Sequence, residues 1–303
     1  MDKTILIAGG TGLIGTMLCK KLADEGYTVH LLSRKPSKIY PFTLWAPEKD
    51  YYDENTIPEA DIMINLAGAG IADKRWTAER KKVIVESRVS ANRVLQQILT
   101  KQKNKASLFL SASAIGIYGD RDHELLDEKS KPGDNGFLLE TVKSWEAAVN
   151  SIHSDNLRKV IFRIGVVLSM KGGALPQMVN PMKFCIAPYF GSGQQIYSWV
   201  HIEDLCNMFL YAIHNKEMNG VYNAVSPGPV SNKQMIETII EAKHRTGLII
   251  PIPVFIMRIL LGEMADVILH SSNVSPERLI SIGFKYKYPD LLLALKDIFE
   301  NNK

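Results

Sequence analysis

The sequence predicts an α/β fold: a doubly wound parallel sheet carrying a smaller C-terminal α/β lobe. Two observations predict it. Short apolar β runs alternate with helical patterns of ten residues or more as far as about residue 168, which means βαβ units and a sheet covered on both faces. Beyond Ser169 the pattern loosens, punctuated by Gly172, Gly173, Pro176, Pro181, Pro188, Gly191 and Gly193, with no linker long enough to free a second unit. The expected division is therefore a sheet domain over residues 1–168, completed by part of the later chain, and a cleft-forming lobe over 169–303.

The elements follow in order. Thr4-Ile5-Leu6-Ile7-Ala8 is a β run, and Leu13, Ile14, Met17, Leu18 and Leu22 recur at helical spacing after it, with Gly26 as a stop. Residues 27–32 and 61–66 are the next strands. Thr77 caps a long helix reaching about Thr100. Residues 108–111 read as strand, 137–151 as helix and 159–168 as strand. In the lobe a helix follows Ile202, a short strand covers 221–223, Ser231 caps another helix, Pro251 and Pro253 break the chain, and helices lie near Ile256 and Leu291.

Composition narrows the class. Of 303 residues 46% are hydrophobic and 22% charged, which excludes collagen-like and disordered chains. A net charge of +4, with no basic run longer than Arg80-Lys81-Lys82, gives no reason to expect nucleic acid. The longest uncharged stretch, 184–202, is broken by Pro188, Gly191 and Gly193, so no membrane span is expected, and a strand beginning at Thr4 leaves no room for a signal peptide. Cys19, Cys185 and Cys206 read as small buried thiols of a reducing, cytoplasmic protein. The seven His show no metal-ligand spacing, so no metal site is expected.

The chemistry starts at Gly9-Gly10-Thr11-Gly12-Leu13-Ile14-Gly15, between the first strand and the first helix. The turn needs glycine torsions, a missing Cβ lets a pyrophosphate approach the backbone, and the last glycine lets helix and strand pack closely. The helix N-terminus then offers N–H groups and a positive dipole end. The expected cofactor contacts are Gly9, Thr11, Gly12, Leu13, Ile14 and Gly15. The second strand ends in Ser33-Arg34, where an acidic residue would favour NAD; a hydroxyl and a guanidinium suit a 2′-phosphate, so NADP (NADPH) is expected over NAD.

The Gly-x-x-Gly-x-x-Gly spacing resembles the short-chain dehydrogenase/reductase superfamily, in its extended, epimerase-like branch, and the resemblance implies a Rossmann-like sheet. Asn65-Leu66-Ala67-Gly68 is similar to that family's segment after the fourth strand, which places Asn65, Ala67 and Gly68 under the adenine ribose. Ser111-Ala112-Ser113 through Tyr118-Gly119 resembles the family's Ser-Ser-x-x-x-Tyr-Gly segment, which implies that Ser113 orients a substrate. A narrower likeness, to the atypical extended subfamily whose bacterial members are labelled nucleoside-diphosphate-sugar epimerase-like, rests on Arg75-Trp76-Thr77, Glu86-Ser87-Arg88, Trp199-Val200-His201-Ile202-Glu203-Asp204-Leu205, Tyr222-Asn223-Ala224 and Pro251-Ile252-Pro253. It extends through Leu261-Gly262-Glu263-Met264-Ala265 and Ser275-Pro276-Glu277-Arg278-Leu279, so 248–296 is similar to that subfamily's small C-terminal domain of unknown function; Arg245-Thr246-Gly247 departs from it.

One expected feature is missing. The resemblance implies a Tyr-x-x-x-Lys pair, because a free phenol with a pKa of ~10 is a poor base at neutral pH. None of the eleven tyrosines has Lys four residues on; Phe137 and Thr141 stand in the expected places. Tyr118 and Glu140 are the candidates to replace the pair, each with a structural alternative: a ring packed over the cofactor, or a solvated helix face shared with Lys143. Arg163 is a core-edge Arg with a partner or a cleft residue, Arg75 and Trp76 line a pocket or pack in the core, and Asp204 caps the helix beginning near His201. Two functions stay open: an NAD(P)-dependent oxidoreductase or epimerase-like enzyme on a small polar substrate, sugar-linked or not, and a non-catalytic NADP-binding sensor. Oligomeric state is not legible.

Overall fold

The computed structural model describes residues 3–102, 105–244 and 247–301; the departure noted at Arg245-Thr246 lies outside them. Strand β1 (Thr4–Ala8) is fully buried from Ile5 to Ala8, as a central strand covered on both faces must be. Helix α1 (Leu13–Asp24) follows the glycine turn and stops before Gly26, whose φ of +84° suits glycine. Then come β2 (Thr28–Ser33), β3 (Phe42–Ala46), β4 (Tyr51–Tyr52) and β5 (Ile62–Asn65). Helix α2 (Ala78–Lys101) starts where Thr77 Oγ1 accepts from the Arg80 N–H. Next are β6 (Leu108–Ala114), β7 (Leu125–Leu126), α3 (Phe137–Asn150) and β8 (Arg158–Ile164).

The second half continues with β9 (Val166–Leu168), α4 (Ala174–Val179), β10 (Ile186–Phe190), β11 (Ile196–Tyr197), β12 (Trp199–His201) and α5 (Ile202–His214). After them come β13 (Gly220–Ala224), β14 (Val230–Ser231), α6 (Asn232–Ala242), β15 (Leu248–Ile252), α7 (Val254–Leu261) and α8 (Asp266–Leu269). The chain closes with β16 (Asn273–Val274), α9 (Glu277–Ser281) and α10 (Leu291–Glu300).

The main sheet has the order β13-β8-β6-β5-β1-β2-β3-β4, parallel except for β4 against β3. Strand order runs outward in both directions from the β1–β5 boundary, which is the switch point where open α/β sheets bind ligands. Helices α1 and α5 pack together, as do α2 and α3. A second core, built on Trp199, Met235, Ile239 and Leu295, lies under the lobe.

Several expectations are corrected. The strand expected over 159–168 breaks at Gly165, where a Cβ would sit 2.4 Å from the Ser198 carbonyl oxygen, and β9 leaves the main sheet to pair with β12. Strands β3, β4 and β10 were not anticipated. Pro251 does not break the chain but belongs to β15, which pairs only with β10 and so tolerates a missing N–H. Cys185 is exposed; Cys19 and Cys206 are buried, which pushes both thiols up to about 12.

Asp204 does not cap α5. His201 does, its Nδ1 accepting from the Glu203 N–H at 3.1 Å. Buried Asp204 instead accepts from the Lys287 and Tyr288 N–H groups at 2.8 and 2.9 Å, pinning the segment before α10 to α5. Because His201 Nδ1 is an acceptor, Nε2 keeps the ring proton; it stands 3.4 Å from Asp297 Oδ2 without a hydrogen bond to it. His201, Glu203 and Asp297 offer donor atoms within 4.8 Å of one another, but a protonated Nε2 is no metal ligand and Lys21 and Lys287 already occupy Glu203.

Two outcomes follow from this joint. Asp204→Ala, which leaves two inward backbone donors unpaired, should cost ~2–4 kcal/mol in urea unfolding, and Asp204→Asn less. Burial lowers the His201 pKa from 6.5 to about 4, against the opposing pull of Asp297 and Glu203. The folded value lies below the unfolded one, so the neutral ring's contribution is complete above about pH 6.5 and is lost as pH falls toward 4, a loss of ~2–3 kcal/mol. The pH dependence of the unfolding midpoint should flatten over that window in His201→Gln.

Candidate functional site

The glycine turn sits at the carboxyl end of β1, at the switch point. Gly9 has φ +81°, and a Cβ there would lie 2.6 Å from the Leu66 carbonyl carbon. A Cβ on Gly15 would lie 2.2 Å from the Gly9 oxygen, so only glycine lets α1 begin this close to the turn. Gly12 is the N-cap residue, donates to Gly9 O at 3.1 Å and has no capping side chain. Thr11 and Gly12 are exposed, and Leu13 and Ile14 partly so. The first turn of α1 thus presents backbone N–H groups with no side chain laid across them, which is the requirement for an anion site. Gly172 and Gly173 pass beside the Leu13 side chain, so the lobe borders the turn.

At the end of β2, Ser33 is buried and engaged: its hydroxyl donates to Lys35 O at 2.6 Å and accepts from Lys35 N. Its role is to shape the turn. Arg34 is exposed and makes no ion pair among the described residues. Across the switch point, buried Asn65 donates to Asn92 Oδ1 and accepts from the Ala67 N–H, fixing the 65–68 segment. Behind Gly68 lies Arg88, which donates to Ala69 O and Ile84 O and stacks on Trp145 at 4.9 Å. Burial, with Arg80 adding to it, pulls the Arg88 guanidinium down to about 10, so it stays charged at neutral pH.

Ser113 lies at the carboxyl end of β6, 2% exposed, and its hydroxyl donates to Glu146 Oε1 at 2.6 Å. Arg163 grips the same carboxylate with Nε at 2.9 Å and Nη2 at 2.8 Å, and its Nη1 donates to the Tyr118 oxygen at 3.0 Å. Tyr118 in turn donates to Asn223 Oδ1 at 2.8 Å. Burial alone would lower the Arg163 pKa, but the hydrogen bonds and charge of Glu146 outweigh it and raise it further. Burial raises the Tyr118 pKa above the phenol range against the pull of Arg163.

The two groups expected to stand in for the missing pair thus meet different surroundings. Tyr118 is wholly buried, with its proton committed to Asn223 and its ionised form disfavoured. Glu140 is 63% exposed and pairs with Lys143 on the outer face of α3. Phe137 stacks edge-on against Trp76, and Thr141 spends its hydroxyl on Phe137 O. Arg163 is thus the core-edge Arg with a partner, one of the two alternatives read from the sequence; Glu146, as its partner and as the acceptor for Ser113, was not found there, the available signal being its place nine residues along the helix from Phe137.

Comparison with known proteins agrees with this geometry. The NAD dependent epimerase/dehydratase family matches residues 5–224, and a domain of unknown function, DUF1731, matches 252–298. Epimerase family protein YfhF of Bacillus subtilis is 37% identical over 303 residues, covering 99% of each chain. Epimerase family protein SSP1921 of Staphylococcus saprophyticus is 36% identical, covering 98% of this chain and 99% of its own. Among solved structures, human epimerase family protein SDR39U1 with NADPH superposes with a TM-score of 0.90 at 31% identity, over 98% of this chain and 99% of that one. UDP-N-acetylglucosamine 4-epimerase from Bacillus cereus, at 16% identity and a TM-score of 0.78, shares the fold. With a family match across the whole sheet and relatives aligned over nearly their full length, this chain belongs to the NAD dependent epimerase/dehydratase family.

Proposed function

We propose that the chain binds NADP(H) across the switch point and acts as an oxidoreductase or epimerase-like enzyme on a small molecule oriented by Ser113. The observation that carries the reading is the Gly9–Gly15 cradle, where two glycines exclude any Cβ and the first turn of α1 is left uncapped. The backbone N–H groups of 13–15 take the pyrophosphate, Arg34 takes the 2′-phosphate, and Asn65, Ala67 and Gly68 border the adenosine. The NADPH in the human SDR39U1 structure supports NADP over NAD. When bound, the nicotinamide supplies or accepts a hydride. The two buried thiols suit a reducing compartment such as the cytoplasm. No helix among the described residues is long and apolar enough to cross a membrane.

The Ser113 hydroxyl is held by a carboxylate that is itself fixed by Arg163. Its proton is directed inward, so the oxygen offers lone pairs to whatever reaches it. A second reading, a sensor without turnover, is favoured by Phe137 and Thr141 in the places of the proton-moving pair and by the committed Tyr118 proton.

Cofactor titration tests the first reading: Arg34→Ala should weaken NADP at least ~tenfold and leave NAD unchanged, and Gly15→Val should abolish both. Equal affinity for NAD and NADP in the unmodified protein sinks the NADP assignment. Turnover of NADPH against a panel of carbonyls and nucleotide-sugars, lost in Ser113→Ala, favours the enzyme; tight binding without turnover favours the sensor. Glu146→Leu alone strands the Arg163 charge and should cost ~3–5 kcal/mol in urea unfolding, whereas Glu146→Leu with Arg163→Met should cost much less.

A further inference from the structure

The mouth of the cleft carries features that neither the cofactor nor the family assigns. Trp76 and Phe137 meet edge to face, with centroids 4.8 Å apart and planes at 69°, and both rings are half-buried. Trp76 Nε1 donates inward to Ile71 O at 2.8 Å, so the ring's one polar atom is already used. Phe137 has none. Leu138 packs beside Gly116, which places this pair next to the segment that follows Ser113. The wall therefore offers carbon and ring faces where a family member with Tyr would offer a hydroxyl.

A cationic rim faces this wall. Lys81 Nζ lies 5.2 Å from the Phe137 centroid and pairs with Glu263. Gly262, with φ +60°, leaves room for the Arg75 guanidinium, whose Nη2 would stand 3.3 Å from any Cβ at that position. Lys81 is neutralised, but Arg75 is exposed and makes no ion pair among the described residues. An unpaired guanidinium on the residue that precedes Trp76, at the end of the chain segment that carries this aromatic wall, is complementary to a ligand with a carbon body and a negative end.

We propose that this mouth takes an anionic ligand with an aromatic or aliphatic body, the body against Trp76 and Phe137 and the anion on Arg75. The assignment departs from the small polar substrate expected from the sequence. The wall itself gives a polar body no hydrogen-bond partner, since Trp76 Nε1 is already used and Phe137 has no polar atom. The proposal rests on NADP(H) occupying the glycine turn and names the substrate class of that same site.

Isothermal titration of 2-naphthoate, 2-naphthalenemethanol and glucose 1-phosphate (an anion with a polar body), into protein saturated with NADPH and again without it, tests the proposal. We expect naphthoate to bind. Arg75→Ala should weaken naphthoate about tenfold and leave the neutral alcohol unchanged; Phe137→Ala should weaken both aromatic probes about tenfold. NADPH affinity should be the same in both variants, and Phe137→Leu serves if the alanine variant does not fold. The proposal is overturned if glucose 1-phosphate binds while naphthoate does not, if nothing but NADPH binds, or if naphthoate ignores both substitutions. Naphthoate binding without any NADPH binding would instead overturn the cofactor reading and leave the mouth assignment standing.

Discussion

Glu146 and Arg163 form an ion pair that lies almost wholly out of water, and such a pair is tolerable only when every donor and acceptor has a partner. Here the accounting is complete on the carboxylate side: Glu146 takes two bonds from Arg163 and one from Ser113. The third arm of the guanidinium reaches Tyr118, and Tyr118 reaches Asn223. One pair thus ties the ends of β6, β8 and β13 to helix α3. Asn223 carries the chain further, donating its side-chain amide to Ser275 O and its backbone N–H to the carboxylate of Glu128. The position of the Ser113 hydroxyl is a consequence of this network rather than of its own strand.

That network changes what the absence of Tyr-x-x-x-Lys means. In a site built around a phenol, the helix after the fifth long strand brings a titrating group to the cleft. In this chain the same helix brings a carboxylate to the inside, where Arg163 holds it, and turns an aromatic wall outward. The polar chemistry has moved beneath the strand ends and the apolar chemistry has moved to the mouth. A hydride-transferring cofactor bound across the switch point, as proposed, is compatible with both halves of that exchange.

Much of the fold was legible because its signals are local. The apolar run at Thr4–Ala8, the glycine spacing after it and the Thr77 cap each act within a few residues, and each element formed where the pattern put it. The failures share a different cause. Gly165 reads as an interior strand residue until Ser198, far along the chain, closes over it. Asp204 reads as a helix cap by position, yet its partners are the N–H groups of Lys287 and Tyr288. Tyr118 could not be told from a cleft residue without knowing that Arg163 and Asn223 surround it. The glycine turn was readable for the reason the fold was; the surroundings of Ser113 were not, because they are assembled from residues whose meeting is decided by packing.

The return of β13 to the edge of the main sheet bears on how the molecule is made. Strand β8 lies between β6 and β13, and every residue of β10, β11, β12 and α5 is synthesised before β13 can arrive. While the chain emerges N-terminal end first, β8 is an open edge with unpaired backbone groups and buried-type side chains such as Phe162. The nascent protein therefore passes through a stage in which the main sheet lacks its edge strand and its core still lacks Tyr222, Leu279 and Phe284. Release from that stage requires the lobe, so the chain's second half acts as the closing piece of the first half's sheet as well as the bank of its cleft.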